Sequence, residues 1–178
     1  MVYHLVMNVA LMSVANLSME IDPWRSVNDG VMGGLSVGGM VQSDEGLKFT
    51  GRLSLENNGG FSSVRRSVSR DLSKASRVRI EVRGDGRDYQ FRIRQGNSFD
   101  GIAWRAVFSS SNEWQEVELS LVQFIPVFRG RTVPEAGPVV PSEIQQIGFL
   151  LADKKAGRFE LEIRRIEFIG TEDAATDD

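Results

Sequence analysis

"RVRIEVRGDGRDYQFRIRQ", residues 77–95, alternates apolar and polar side chains almost without a break. Val78, Ile80 and Val82 fall on one side, opposite Arg77, Arg79, Glu81 and Arg83, and after "GDGRD" the pattern resumes with Tyr89, Phe91 and Ile93. Successive side chains of an extended chain point to opposite faces, so a period of two marks a strand with one face in a core and one in water. Because "GDGRD" carries turn chemistry, the stretch predicts two strands joined by a tight hairpin.

The same alternation spreads outward through "GLKFTGRLSL" from Gly46, "IAWRAVFS" from Ile102, "WQEVELSL" from Trp114, "IQQIGFLLAD" from Ile144 and "GRFELEIRRIEFI" from Gly157. Short turn-rich links such as "ENNGG", "QGNSFDG" and "SSSNE" separate these runs, and long helical periodicity is missing. Many short strands at near-regular spacing predict an all-β antiparallel sandwich or barrel. The one helical signal is "PSEIQQI", where Ser142 is placed to cap a turn after Pro141. The longest irregular segment, residues 128–141 with Pro134, Pro138 and Pro141, reads either as a crossover between sheets or as a contact surface.

With 178 residues and 41% hydrophobic content the chain has material for one sizeable core, and no linker or repeat divides it. A net charge of -3 and a pI near 5.3 give no overall basic field, which argues against nucleic acid. Arg77, Arg79, Arg83, Arg92 and Arg94 would make an RNA-binding stripe if they shared a face; the simpler account is a solvated sheet surface with Glu counter-charges. No Cys is present, and no apolar run approaches the roughly 18 residues of a membrane span. Residues 1–19 read as a first strand, a leader, or an over-extended start with Met19 as the beginning. Ser13-Val14-Ala15 suits a cleavage site, but no Lys or Arg precedes the apolar run, so secretion is the lesser expectation. The acidic tail 171–178 is expected to be disordered.

Catalysis and cofactors find little support. The Gly-rich stretch "WRSVNDGVMGGLSVGGM", residues 24–40, lacks the Gly-Lys-Ser/Thr of a phosphate loop and the spacing of a dinucleotide fingerprint. His4, within residues 1–19, is the only histidine, so mechanisms needing an imidazole base or clustered His ligands lack their parts, and no D-x-D-x-D-G calcium loop occurs. The loop carboxylates Asp29, Asp85, Asp100 and Asp153 show no pairing in their spacing. The reading is a non-enzymatic module with no cofactor and no metal.

Taken in order, "WRSVNDGVMGGLS", "FTGRLSLENNGGFSSVR", "RGDGRDYQFRIR", "WQEVELSLVQFIPVFRG" and "IQQIGFLLADKKAGRFELEIRRI" closely resemble the complex I intermediate-associated protein 30 family over about residues 20–170. The resemblance implies a single jelly-roll domain, similar to galactose-binding domains and family 11 carbohydrate-binding modules. Mitochondrial members act as assembly factors or chaperones for respiratory complex I, which implies a client protein, such as a respiratory-complex subunit, as partner. The fold kinship offers carbohydrate as the alternative ligand. With no Arg-rich transit peptide, the chain looks like a bacterial, cytoplasmic, stand-alone member.

Within the matching blocks, Trp24, Asn28, Asp29, Met32, Gly33, Gly34, Ser36, Gly60, Phe61 and Ser63 read as fold-maintaining positions. Trp24 is expected to anchor its segment, Asn28-Asp29-Gly30 to turn it, and Val31 and Met32 to plug the core. Arg65, on the same face as Phe61 and Ser63, is expected to pair with Asp29 and tie the two Gly-rich segments together. Asn57, Asn58, Arg65, Asp85, Tyr89, Arg92, Trp104 and Arg129 are the candidate contact residues, Trp104 being equally suited to the core.

Overall fold

The computed structural model describes residues 10–171 apart from 97 and 99. Among the described residues thirteen strands run in order: β1 (Leu11–Asn16), β2 (Arg25–Ser26), β3 (Val37–Ser43), β4 (Gly46–Leu53), β5 (Ser62–Ser67), β6 (Ala75–Gly84), β7 (Asp88–Gln95), β8 (Ala103–Ser109), β9 (Gln115–Ser120), β10 (Ile125–Phe128), β11 (Arg131–Thr132), β12 (Ile144–Leu151) and β13 (Gly157–Thr171). They form two antiparallel sheets, β3-β4-β13-β6-β9 with β1 also on β13, and β11-β10-β8-β7-β12-β5-β2. The all-β sandwich expected from the alternation is the architecture observed.

Each sheet turns its apolar positions inward. Phe49, Ile80, Leu161 and Phe168 of the first sheet meet Tyr89, Phe91, Ile147 and Phe149 of the second, all essentially inaccessible to water. Phe49 packs edge-on to Tyr89 at 6.3 Å between ring centroids, and Phe91 to Phe149 at 5.3 Å. Removing this much aromatic and aliphatic surface from water is the main force holding the sheets together.

The opening stretch is strand in both halves, but "GDGRD" is not a hairpin. β6 pairs with β13 and β9 in the first sheet, whereas β7 pairs with β12 and β8 in the second, so this turn is a corner between layers. The return corner from β8 to β9 runs beside it, Gly84 donating its N–H to Ser111 O and Ser110 to Arg87 O. Arg87 fastens the corner through Asp153, with Nη2 2.6 Å from Oδ1. Alternation shows which residues face inward and is blind to which strand lies alongside.

Other expectations need correction. Segment 128–141 does not cross between sheets: it leaves β11 at the edge of the second sheet and enters β12 of the same sheet. Pro141–Glu143 forms only a 3-10 turn, entered from Val140, with no side-chain cap from Ser142. β1 joins β13 with Leu11 opposite Thr171; residues 1–9 and 172–178, where the rest of the leader and tail expectations fall, lie outside the described residues. Arg77, Arg79 and Arg83 face outward from the first sheet and Arg92 and Arg94 from the second, so they share no face.

Candidate functional site

A buried carboxylate organises the Gly-rich stretch. Asp29 opens the 3-10 turn Asp29–Met32 and is 0% exposed. Its Oδ1 accepts from the Ser36 N–H at 2.9 Å. Its Oδ2 accepts from the Ser36 hydroxyl at 2.5 Å and from the N–H groups of Gly60 and Phe61 at 2.7 and 3.2 Å. Burial pushes the carboxyl up, but the Ser36 hydroxyl and the amides of Gly60, Ser36 and Phe61 outweigh it and hold it below the ordinary Asp value. The glycines follow from this wrapping. A Cβ on Gly34 would sit 2.4 Å from Asp29 Cγ and one on Gly59 2.7 Å from Oδ2. Asn28 adds a second clasp, its Oδ1 accepting from Ser62 Oγ at 2.6 Å and its Nδ2 donating to Gly38 O at 3.0 Å.

The segments are therefore tied by Asp29 and backbone amides; Arg65 is not among the partners of Asp29. Val31 and Met32 do not plug the core either. Asp29 takes the inward place of the turn, leaving those two side chains 66% and 64% exposed. Trp24 packs against Phe149 at 5.9 Å as an anchor should, although its buried indole N–H has no hydrogen-bond partner among the described residues.

Val31 and Met32 form one lip of a cleft of about 650 Å³ on the outer face of the second sheet, with Phe61, Ser63 and Leu150 beside them and Arg129 and Gly130 of the β10–β11 hairpin on another side. The strand register sets its floor. Arg25 lies opposite Arg65, Arg65 opposite Gly148, Gly148 opposite Arg92, and Arg92 opposite Arg105, one row across β2, β5, β12, β7 and β8, of which Arg65, Gly148 and Arg92 line the cleft. Gly148 is the low point of that row, because a Cβ there would stand 2.4 Å from Val64 O. Arg92 donates to Gln90 Oε1 at 3.1 and 2.9 Å, and Arg94 to Gly101 O at 2.6 Å. Desolvation, then the like charges of Arg94 and Arg105, push Arg92 down to about 10. Asp100 is the only carboxylate lining the cleft among the described residues, and it pairs with Arg129 at 2.6 Å.

Of the sequence candidates, Arg65, Arg92 and Arg129 come together here, joined by Met32, Phe61 and Ser63, which were read as fold-maintaining. Tyr89 belongs to the core at 0% exposure. Its hydroxyl lies 3.0 Å from Asp85, which also accepts from the Glu160 N–H at 2.8 Å, so the pair locks a corner. Burial first, then Asp85, raises the Tyr89 pKa. Trp104 is core too, 5% exposed, with its indole N–H on Gly137 O at 2.9 Å. Asn57 and Asn58 adopt positive φ of 54° and 57° in an exposed turn that delivers Gly59 and Gly60 to Asp29. Sequence reasoning missed Gly148; a lone Gly inside the apolar run "IQQIGFLL" was the available signal.

Residues 14–163 match the family model described as Complex I intermediate-associated protein 30. The chain belongs to this family. The mouse mitochondrial complex I intermediate-associated protein 30 is 36% identical over 110 residues, covering 59% of this chain and 33% of that protein. The Drosophila melanogaster mitochondrial protein of the same name is 26% identical over 146 residues, covering 75% and 48%. This chain thus spans less than half the length of either relative. Among solved structures, the family 11 carbohydrate-binding module of the Clostridium thermocellum cellulase Lic26A-Cel5E superposes with a TM-score of 0.66 at 18% identity, over 89% of this chain and 96% of the module. The same module family in complex with a β-1,3-1,4-mixed-linked tetrasaccharide gives 0.67 at 19%, over 87% and 94%. At such identities the likeness is one of fold, the jelly-roll sandwich. No helix of the described residues is long and apolar enough to cross a membrane, and no group of three or more Asp, Glu, His or Cys among them could hold a metal ion.

Proposed function

We propose that this chain is a non-enzymatic interaction module that holds a client polypeptide on the outer face of its second sheet, the client being a subunit of respiratory complex I. The make-up of the cleft carries the reading: exposed Val31 and Met32 stand over an arginine floor, while Tyr89 and Trp104, the rings a sugar would stack on, are spent in the core. An apolar lip beside fixed cations suits the mixed surface of a polypeptide. Family membership supports the choice of client, since the mouse and fly relatives carry complex I in their names.

The test is affinity purification of the tagged full chain from its host, comparing wild type with the double variant Val31→Glu, Met32→Glu and quantifying complex I subunits by mass spectrometry. Enrichment of those subunits is expected, falling at least tenfold in the variant. Absence of enrichment, or enrichment untouched by the variant, overturns the proposal. Sub-millimolar binding of a mixed-linked glucan tetrasaccharide in calorimetry would replace it with the carbohydrate reading.

A further inference from the structure

The two outer faces treat arginine differently. On the first sheet, Arg77 and Arg79 reach Glu118, Arg83 reaches Glu162, Arg164 reaches Glu81 and Arg165 reaches Glu116, every distance between 2.5 and 3.2 Å. On the second, the row Arg25, Arg65, Arg92 and Arg105 contains no carboxylate, and Arg92 faces Arg105 directly across neighbouring strands. Like charges so placed destabilise a sheet. Arg105 has no hydrogen-bond or ion-pair partner among the described residues, and Arg92 has only the neutral amide of Gln90. A half-buried guanidinium without an anion is an arrangement that an incoming anion completes.

We propose that this row is an oxyanion-binding floor that takes the carboxylates of an acidic segment of the client, an inference resting on the client-binding reading above. Gly148 opens the space: Arg65 and Arg92 flank it from β5 and β7, two strand spacings or ~10 Å apart. Both guanidinium forks can therefore address a carboxylate lowered between them, with the bidentate geometry arginine favours. An extended peptide repeats its side chains on one face every ~6.8 Å, so alternate acidic residues can meet successive arginines of the row. The intervening apolar side chains then lie toward Val31 and Met32. The Asp100–Arg129 pair stands at the exposed rim, and neither Arg92 nor Arg105 has a carboxylate partner among the described residues.

The probe is a fluorescein-labelled decapeptide of alternating Glu and Ala, titrated by anisotropy against the full chain, with the Gln–Ala decapeptide as its neutral twin. The acidic peptide should bind at least tenfold more tightly than the neutral one. Arg92→Met and Arg105→Gln should each weaken it at least fivefold, and Arg79→Met on the other face should leave it unchanged. Thermal melts confirm that each variant folds, and Arg105→Gln, at one end of the row, keeps the test open if Arg92→Met does not. Equal binding of the two peptides overturns the inference, as does indifference to both floor variants. Tighter binding of oligogalacturonate, oligothymidylate or inorganic phosphate than of the acidic peptide overturns the choice of occupant. If the acidic peptide fails while complex I subunits still co-purify in a Val31/Met32-dependent way, only the oxyanion floor falls; if co-purification fails as well, the client reading falls with it.

Discussion

The sandwich has two outer faces built from the same residue type, and they behave oppositely. On the first sheet arginines interleave with glutamates in a connected lattice, and Trp114 lies between the guanidinium groups of Arg83 and Arg164, 4.8 and 4.4 Å from its ring centre. On the second, the arginines face one another across a glycine. The nearby buried carboxylate, Asp29, is withheld from them by four hydrogen bonds from a hydroxyl and backbone amides. One face is finished by its own counter-charges, whereas on the other Arg92 and Arg105 find no carboxylate among the described residues. Arginine content alone therefore says nothing about function; the register that decides its neighbours does.

The largest break in this comparison should come from Asp29. Asp29→Ala leaves the Ser36 hydroxyl and three amides without their acceptor, and a loss on the order of 3 kcal/mol is expected, read as a lowered midpoint in urea. An unchanged midpoint would mean that the two Gly-rich segments are held by something other than that carboxylate.

Next comes a difference in sign. Arg92→Met removes a desolvated cation while keeping an unbranched stem, and should stabilise the protein by about 1 to 2 kcal/mol, raising the melting temperature by ~2 to 8 °C. Arg79→Met takes a member out of the first-face lattice and should destabilise by about 1 kcal/mol or less. If both variants shift the melting temperature in the same direction, the two faces are not electrostatically distinct.

The smallest effect separates the faces by pH. Hydrogen bonds from Arg164 to Glu81 and from Arg77 to Glu118 hold those carboxyls below the usual Glu value, and Asp29 also lies below its own. A group with a depressed folded pKa contributes fully above its unfolded value, near 4, and loses that contribution as pH falls through the folded value. Stability should thus decline from about pH 4 downward as acid strips the first face of its counter-charges, while Arg92 and Arg105, which have no carboxylate partner among the described residues, add no slope there. Urea midpoints between pH 2 and 7 check this, with Asp29→Ala giving a shallower decline.

Alternation in "RVRIEVRG" and "DYQFRIRQ" was enough to place nearly every inward residue, because burial on one face is a property each strand carries by itself. Which strand lies beside which is not. "GDGRD" has hairpin chemistry yet turns a corner, since Arg87 finds Asp153 and Ser110, all far along the chain. The candidate site suffered from the same limit. Arg65 and Arg92 were legible as outward-facing, but their meeting across Gly148 depends on three strands in register and on a glycine read simply as part of an apolar run. Met32 was misplaced because a tight turn around a buried carboxylate reverses the expected facing of an apolar pair.

Residues 128–141 look, by composition, like a segment that would have to settle before anything could bind beside it. Yet the Trp104 indole holds Gly137, Val139 is buried, and Gln95 Oε1 accepts the Val140 N–H at 2.7 Å. The conformational entropy of this stretch is surrendered when the chain folds, not when a partner arrives. Encounter at the cleft should accordingly proceed in a single kinetic phase whose rate climbs linearly with partner concentration and shows no plateau from a slow loop rearrangement.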